Sequence, residues 1–500
     1  MPPRRTISPL SLEDLCLSEV LNYFKRELTF CNHVRQFQHD SLLLRRRGID
    51  ADGLMAELRG HLDVLPPLLS EMVRQRLTNR ILKKTKAMAN EPGLLVGILD
   101  VVLNEEVKSL ELCDSCLGND CDIWPLIEKK CTGLERFAIA SDMFKSKETT
   151  HQFFLRTLIS NCTMLTELVL KDAVRDSLTT AAIGKSCSRL RVLDLTGSTV
   201  SCEDMLHLCL RSPSSVSEES ICEADLNPLC QTLEVLHLGN TDVRARGAAI
   251  VLRFIPNLTS LGSCVYTASG LRRLYALKNK PYQCHKFKHA FYRRSSNGKL
   301  KALANSCPSL ESLHIGCDAP RRLRFQISSA GIDLGIVGQC CPLLEKLTVS
   351  KNPSRTVSLP PNKAPIYTKL QELKVTCAVS VECAALFMTN ATKLRNLEIN
   401  RIRDLSDDIF AAWLRKNPLK YLEELMLRYV LLTKESVHLL FACCPRLSRL
   451  GDLGSWDIRS WEFKRFRNLV KRENYAIHLT FDTDCDINIS EFLLGLYEDD

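Results

Sequence analysis

The chain has 500 residues, of which 45% are hydrophobic and 25% charged, with a formal net charge of +9. No run approaches about 18 uninterrupted apolar residues, which excludes an expected membrane-spanning helix. Met1-Pro2-Pro3-Arg4-Arg5 carries charge but no apolar core behind it, so a secretory signal is not expected. The 23 cysteines, an odd number without such a signal, point to reduced thiols and a cytoplasmic and/or nuclear location.

Residues 1–106 read as a small helical module. Ser11 comes two positions after Pro9 and can cap a helix, with Asp14 three residues on as in a capping box. Leu12, Leu15, Cys16 and Val20 then fall on one helical face. Leu54 to Leu62 predicts a short helix. Leu65-Pro66 opens another, continued by Leu69, Met72, Val73, Arg76, Leu77 and Ile81. Proline is tolerated there because first-turn N–H groups have no intrahelical acceptor.

Two boxes in this module resemble known ones. Ser11-Leu12-x-x-x-Cys16-x-x-x-Val20 is similar to the elongin-binding box of cullin-2 and cullin-5 ubiquitin ligase receptors. Leu65-Pro66-x-x-Leu69-x-x-x-Val73 is similar to the box by which such receptors choose cullin-2. With leucine-rich repeats behind them, the order resembles the zyg-eleven and Zer family, and more loosely PRAME-type proteins. The resemblance implies that Ser11, Leu12, Leu15, Cys16 and Val20 dock on elongin C. It also implies that Leu65, Pro66, Leu69 and Val73 contact cullin-2. Two departures stand: about 45 residues separate the boxes, and no armadillo repeats come after the array. Near-copies of the first box recur inside the repeats, at Leu158/Cys162 and Leu313/Cys317, but end on the polar Thr166 and Arg321. Two alternatives stay open. Leu65-Pro66-x-x-Leu69 also resembles the start of an F-box, which would serve a Skp-type cullin ligase, and the first helix also suits a plain cap on a repeat array.

From 107 to about 455 a frame Leu-x-x-Leu-x-Leu returns. It stands at Val107/Leu110/Leu112, Leu134/Phe137/Ile139, Leu165/Leu168/Leu170, Leu190/Leu193/Leu195 and Leu233/Leu236/Leu238. It resumes at Leu310/Leu313/Ile315, Leu344/Leu347/Val349, Leu370/Leu373/Val375, Leu394/Leu397/Ile399 and Leu422/Leu425/Leu427. Partial copies occur at Leu258/Leu261 and Leu447/Leu450, and a degenerate strand is expected near Cys284 to Phe291, giving about 13 repeats. The last two positions of each frame alternate onto one face of a strand, and a single repeat cannot bury that face, so neighbours must stack. The expected fold is an α/β leucine-rich-repeat solenoid, a horseshoe with parallel strands on the concave side. Cysteine stands three residues before most frames, as at Cys131, Cys162, Cys187, Cys230, Cys307, Cys341 and Cys444. It reads as a small buried helix end and resembles the cysteine-containing repeats of ligase receptors.

This frame absorbs several motifs that would otherwise suggest chemistry. Cys340-Cys341 and Cys443-Cys444 read as helix ends. Gly184-Lys185-Ser186 lacks the first glycine of a phosphate loop, Thr179 standing in its place. Cys113, Cys116 and Cys121 lack a fourth ligand with finger-like spacing, so no zinc is expected. His285 and His289 share a helical spacing but lack the acid of a zinc protease. No nucleophile–base set appears, so neither enzyme activity nor a cofactor is expected.

Two irregular stretches remain. Ser212 to Asp225 reads as an exposed acidic loop. Arg272 to Lys301 is basic and interleaved with aromatic residues, which suits an acidic peptide, a phosphate or RNA, and equally a poorly conforming repeat with a basic rim; Arg272, Arg273, Lys286, Lys288, Arg293 and Arg294 are the candidate substrate-binding residues. Residues 456–500 read as a cap with a possible strand at Ala476 to Phe481 and an acidic end. The expected whole is a non-catalytic substrate receptor: elongin C, elongin B and cullin-2 with its RING protein on one side, and a protein substrate on the concave face. Neither membrane nor nucleic acid is expected as a partner. A plain interaction scaffold is the competing class.

Overall fold

A computed structural model describes residues 51–64, 99–113, 123–140, 148–212, 221–278, 282–293, 297–316, 332–350 and 366–481, with a few positions in 19–26 and 71–78. By contact density the chain divides into two compact units, Ser8–Lys280 and a second dominated by Pro281–Asp500. Each is built from strand–helix repeats with all strands parallel.

In the first unit α1 (Ala51–Val64) precedes β1 (Ser109–Cys113), α2 (Ile123–Lys130), β2 (Arg136–Ala140), α3 (Glu148–Asn161) and β3 (Glu167–Lys171). Then come α4 (Ser177–Ser186), β4 (Val192–Asp194), α5 (Cys202–Cys209), α6 (Leu229–Thr232), β5 (Val235–His237), α7 (Ala245–Phe254) and α8 (Thr267–Lys278). The five strands lie in chain order. Their register aligns Leu110, Phe137, Leu168, Leu193 and Leu236 in one row. All five are 1% exposed or less. The partial copy at Leu258/Leu261 makes only one parallel bridge, Val235 to Ser260.

The second unit runs β6 (His289–Tyr292), α9 (Asn297–Ser306), β7 (Ser312–Ile315), α10 (Leu334–Cys340), β8 (Lys346–Val349), β9 (Glu372–Val379) and α11 (Val381–Asn390). It continues through β10 (Asn396–Ile402), α12 (Asp407–Lys416), β11 (Glu424–Leu427), α13 (Lys434–Cys443), β12 (Arg449–Gly451), α14 (Ser460–Arg472) and β13 (His478–Leu479). Eight strands again keep chain order. Here the buried row is Ala290, Leu313, Leu347, Leu373, Leu397, Leu425 and Leu450. Parallel pairing continues to Leu479, so the sheet extends beyond residue 455 into the tail segment. The protein is thus an α/β leucine-rich-repeat protein, its frame leucines interleaved between neighbouring repeats. Each such leucine stabilises the stack by roughly 1.5–3 kcal/mol relative to exposure.

Local chemistry fixes the ends of the helices. The Asp176 carboxylate accepts the Thr179 N–H at 2.8 Å ahead of α4, and Asp333 accepts the Gly335 N–H at 2.8 Å ahead of α10. Ser201 and Asp204 form a reciprocal capping box on α5. At the other ends, the N–H groups of Cys187, Cys341 and Cys444 donate to the carbonyls of Ile183, Val337 and Leu440. Burial pushes these three thiols up to about 12, so they remain protonated packing groups rather than nucleophiles. Gly197 turns at φ +75°, and a Cβ there would run into the Asp172 carboxylate.

The edge of β1 is covered from the N-terminal side. The Ser109 N–H donates to Gln75 Oε1 at 3.2 Å, and the Gln75 amide donates back to the Ser109 carbonyl. Lys108 reaches Glu71 at 3.6 Å, and Asp100 binds both Arg59 at 2.7 Å and Lys130 at 2.6 Å. An otherwise open edge strand is thereby capped.

Candidate functional site

Strand side chains between the buried leucines form rows on the opposite side of each sheet, because strand neighbours alternate faces. In the second unit one row is His289, Ser312, Lys346, Glu372, Asn396, Glu424, Arg449 and His478. The next is Phe291, His314, Thr348, Lys374, Glu398, Met426 and Gly451. Several charges on this face are matched across strands. Lys346 meets Glu372 at 2.8 Å and Lys374 meets Glu398 at 2.7 Å. Arg428 lies 3.3 Å from the same Glu398 and donates to Asn400 at 3.2 Å. Towards β6 the face turns aromatic: the Phe291 and His314 rings stand edge to face at 4.8 Å, and His314 Nε2 lies 3.3 Å from Ser350 Oγ.

The first unit's face is different. Arg136 pairs with Glu167 at 3.0 Å, but the neighbouring positions are Ala138, Val169, Val192 and Val235. Among them sits one buried carboxylate, Asp194. It lies 3.4 Å from His237 Nδ1 and 3.6 Å from Lys171 Nζ, and accepts the Thr196 N–H at 2.9 Å. Burial pushes the Asp194 carboxyl up, but hydrogen bonds from His237 and Thr196 outweigh this and hold it at about 2. Each member occupies a position fixed by the leucine frame: Asp194 stands inside Leu193-x-Leu195, His237 inside Leu236-x-Leu238, and Lys171 comes directly after Leu170. Aligning the frames would have found the Asp194–His237 pair, while Lys171 stands two positions beyond Val169, the residue in register with Asp194.

These faces offer hydrogen-bonding and charged groups over a broad area. Among the described residues, no group of three or more His, Cys, Asp or Glu side chains is placed to hold a metal ion. Among them too, no helix is long and apolar enough to cross a membrane.

Of the residues singled out from sequence, Ser11, Leu12, Leu15, Cys16, Val20, Leu65, Pro66, Leu69 and Arg294 lie outside the described residues, as do Cys116 and Cys121. Val73 is helical and 0% exposed, so its side chain faces the interior of the first unit. The basic stretch does not form one patch within one unit. Arg272 and Arg273 are exposed on α8 of the first unit. Lys286, Lys288 and Arg293 flank β6 in the second, and Lys288 pairs with Glu311 at 2.9 Å. His285 and His289 do not share a helix, since His285 is in a turn and His289 opens β6.

No family model matches this sequence. No curated protein matches it either. Among solved structures, the chain is similar to the yeast Rad7 and Elc1 complex, with 16% identity and a TM-score of 0.40 over 89% of this chain and 87% of that one. It is also similar to the internalin InlF of Listeria monocytogenes, with 13% identity and a TM-score of 0.29 over 81% of this chain and 95% of that one. A third is LegL7 of Legionella pneumophila, a leucine-rich-repeat-containing protein, with 13% identity and a TM-score of 0.27 over 52% and 87%.

Proposed function

We propose that this protein is the substrate-recognition subunit of a cullin-2–elongin B/C RING ubiquitin ligase. The observation that carries the reading is an order: the Ser11-Leu12-x-x-x-Cys16-x-x-x-Val20 box, then Leu65-Pro66-x-x-Leu69, then a leucine-rich-repeat array. In this reading Leu12, Cys16 and Val20 dock on elongin C, and Leu65, Pro66 and Leu69 contact cullin-2. Val73, the last position of that box, is buried in the chain by itself. The Gln75–Ser109 pairing supports the arrangement, because it joins the segment after the second box to the first strand. A ligase bound ahead of it would then be held in a fixed relation to that sheet. The protein performs no bond chemistry. It raises the effective concentration of substrate lysines near a charged ubiquitin-conjugating enzyme. The strand faces, with their mixed charges, receive a protein substrate.

Co-purification tests this. The full chain is expected to recover elongins B and C, and the double variant L12S/C16F is expected to lose both while its circular dichroism is unchanged. Recovery of a Skp-type adaptor by the wild-type chain would instead assign the Leu65 box to an F-box. Recovery of no adaptor would leave an interaction scaffold.

A further inference from the structure

The C-terminal part of the second unit carries a groove that the strand faces do not use. It encloses about 620 Å³ between α13 and α14, lined by Lys434 and His438 on one side and Trp461, Arg465, Phe466 and Arg472 on the other. Trp461 is 45% exposed, whereas Trp124, Trp413 and Trp456 are at most 6% exposed. The Arg465 guanidinium stacks over the Trp461 ring at 4.9 Å. Glu462 is the acidic lining residue, and it is already engaged by Lys434 at 3.8 Å and by the Arg459 N–H at 3.0 Å.

At 3.6 residues per turn, Trp461, Arg465, Asn468 and Arg472 share one face of α14, while Lys464, Arg467 and Lys471 share the exposed crest beside it. Beyond the crest comes Phe463, stacked on Phe481 at 4.6 Å. The chain therefore leaves its last described position against α14. Residues 482–500 have seven acidic side chains and no Lys or Arg, and contain Phe492, Leu493, Leu494, Leu496 and Tyr497.

We propose that this acidic segment is the occupant of the surface: it crosses the Lys464/Arg467/Lys471 crest and seats its aromatic–leucine stretch beside Trp461. Charge complementarity and the exit point at Phe481 carry the assignment. Reach is sufficient, since the ten residues from 482 to 491 span up to about 33 Å, against a helix diameter of roughly 10–12 Å. The assignment is independent of the ligase reading. The segment is a same-chain ligand on a basic, aromatic surface, and an acidic peptide of a partner would have to displace it.

Acrylamide quenching of tryptophan fluorescence reads Trp461 selectively, and Trp461→Phe identifies its share. In the full chain at low salt Trp461 is expected to be shielded. In the variant E491Q/E498Q/D499N/D500N, or in about 0.5 M salt, its quenching constant is expected to rise by about twofold. Unchanged thermal unfolding of the variant would show that the array is intact. Equal quenching in all three conditions would overturn the proposal. Carbodiimide coupling gives a second readout, since it joins adjacent amines and carboxylates without a spacer. Lys464 or Lys471 is expected to couple to Glu498, Asp499 or Asp500, and in a mixture of isotopically heavy and light chains every coupled pair should be of one isotope. Mixed pairs would assign the surface to a second copy, and absence of coupling would again overturn the proposal.

Discussion

The two sheets share their buried rows and differ on their open faces. Leu193 and Leu425 occupy equivalent frame positions, and both are 0% exposed. On the face between the leucines, the second unit carries a ladder of matched ions, Lys346–Glu372 and Lys374–Glu398–Arg428. The first carries small and branched apolar residues around one buried carboxylate, Asp194. The buried rows must repeat because each one packs against the next. The open rows are released from that constraint, so they are where the two units can acquire different partners.

Leu193→Asp is expected to have the largest effect. It places an unpaired charge between repeats and should cost more than the roughly 2–5 kcal/mol of a Leu→Ala truncation. Leu425→Asp should do equal damage in the second unit. Chemical denaturation monitored by circular dichroism checks both, and tolerance of either would break the equivalence of the two rows. The intermediate effect is a pH dependence carried by Asp194 of the first unit. The Asp194 carboxyl is held at about 2 in the fold, below the unfolded value of 3.8. Its contribution is therefore fully present above about pH 4 and is lost as pH falls towards about 2, amounting to about 2 kcal/mol. Asp194→Asn should flatten that part of the stability–pH curve. The smallest effect is expected from Lys374→Ala, because an exposed ion pair contributes at most about 1 kcal/mol. Thermal unfolding should barely move.

Much of this was legible in the sequence because burial writes a period into it. Leu190/Leu193/Leu195 and its copies predict strands, and the cysteines before them mark helix ends, as Cys187 and Cys341 do. The degenerate strand expected near Cys284 to Phe291 is present as β6, although His289 and Tyr292 carry no leucine signal. What escaped depends on residues distant in sequence. The Lys171–Asp194–His237 cluster needs three repeats in register. The basic run at 272–293 looks continuous in the sequence, yet a helix of one unit and a strand of the other divide it. The α13–α14 groove needs two helices side by side, so residues 456–500 read only as a polar cap.

In the proposed assembly, residues ahead of the array recruit a ligase while the array recognises its substrate. Mixing the purified full chain with purified elongin B–C and cullin-2–RING, then running size-exclusion chromatography with light scattering, tests it most directly. One complex with a single copy of each component is expected, lost in L12S/C16F without change in the variant's unfolding curve. A wild-type chain that elutes apart from elongin B–C would overturn the proposed assembly.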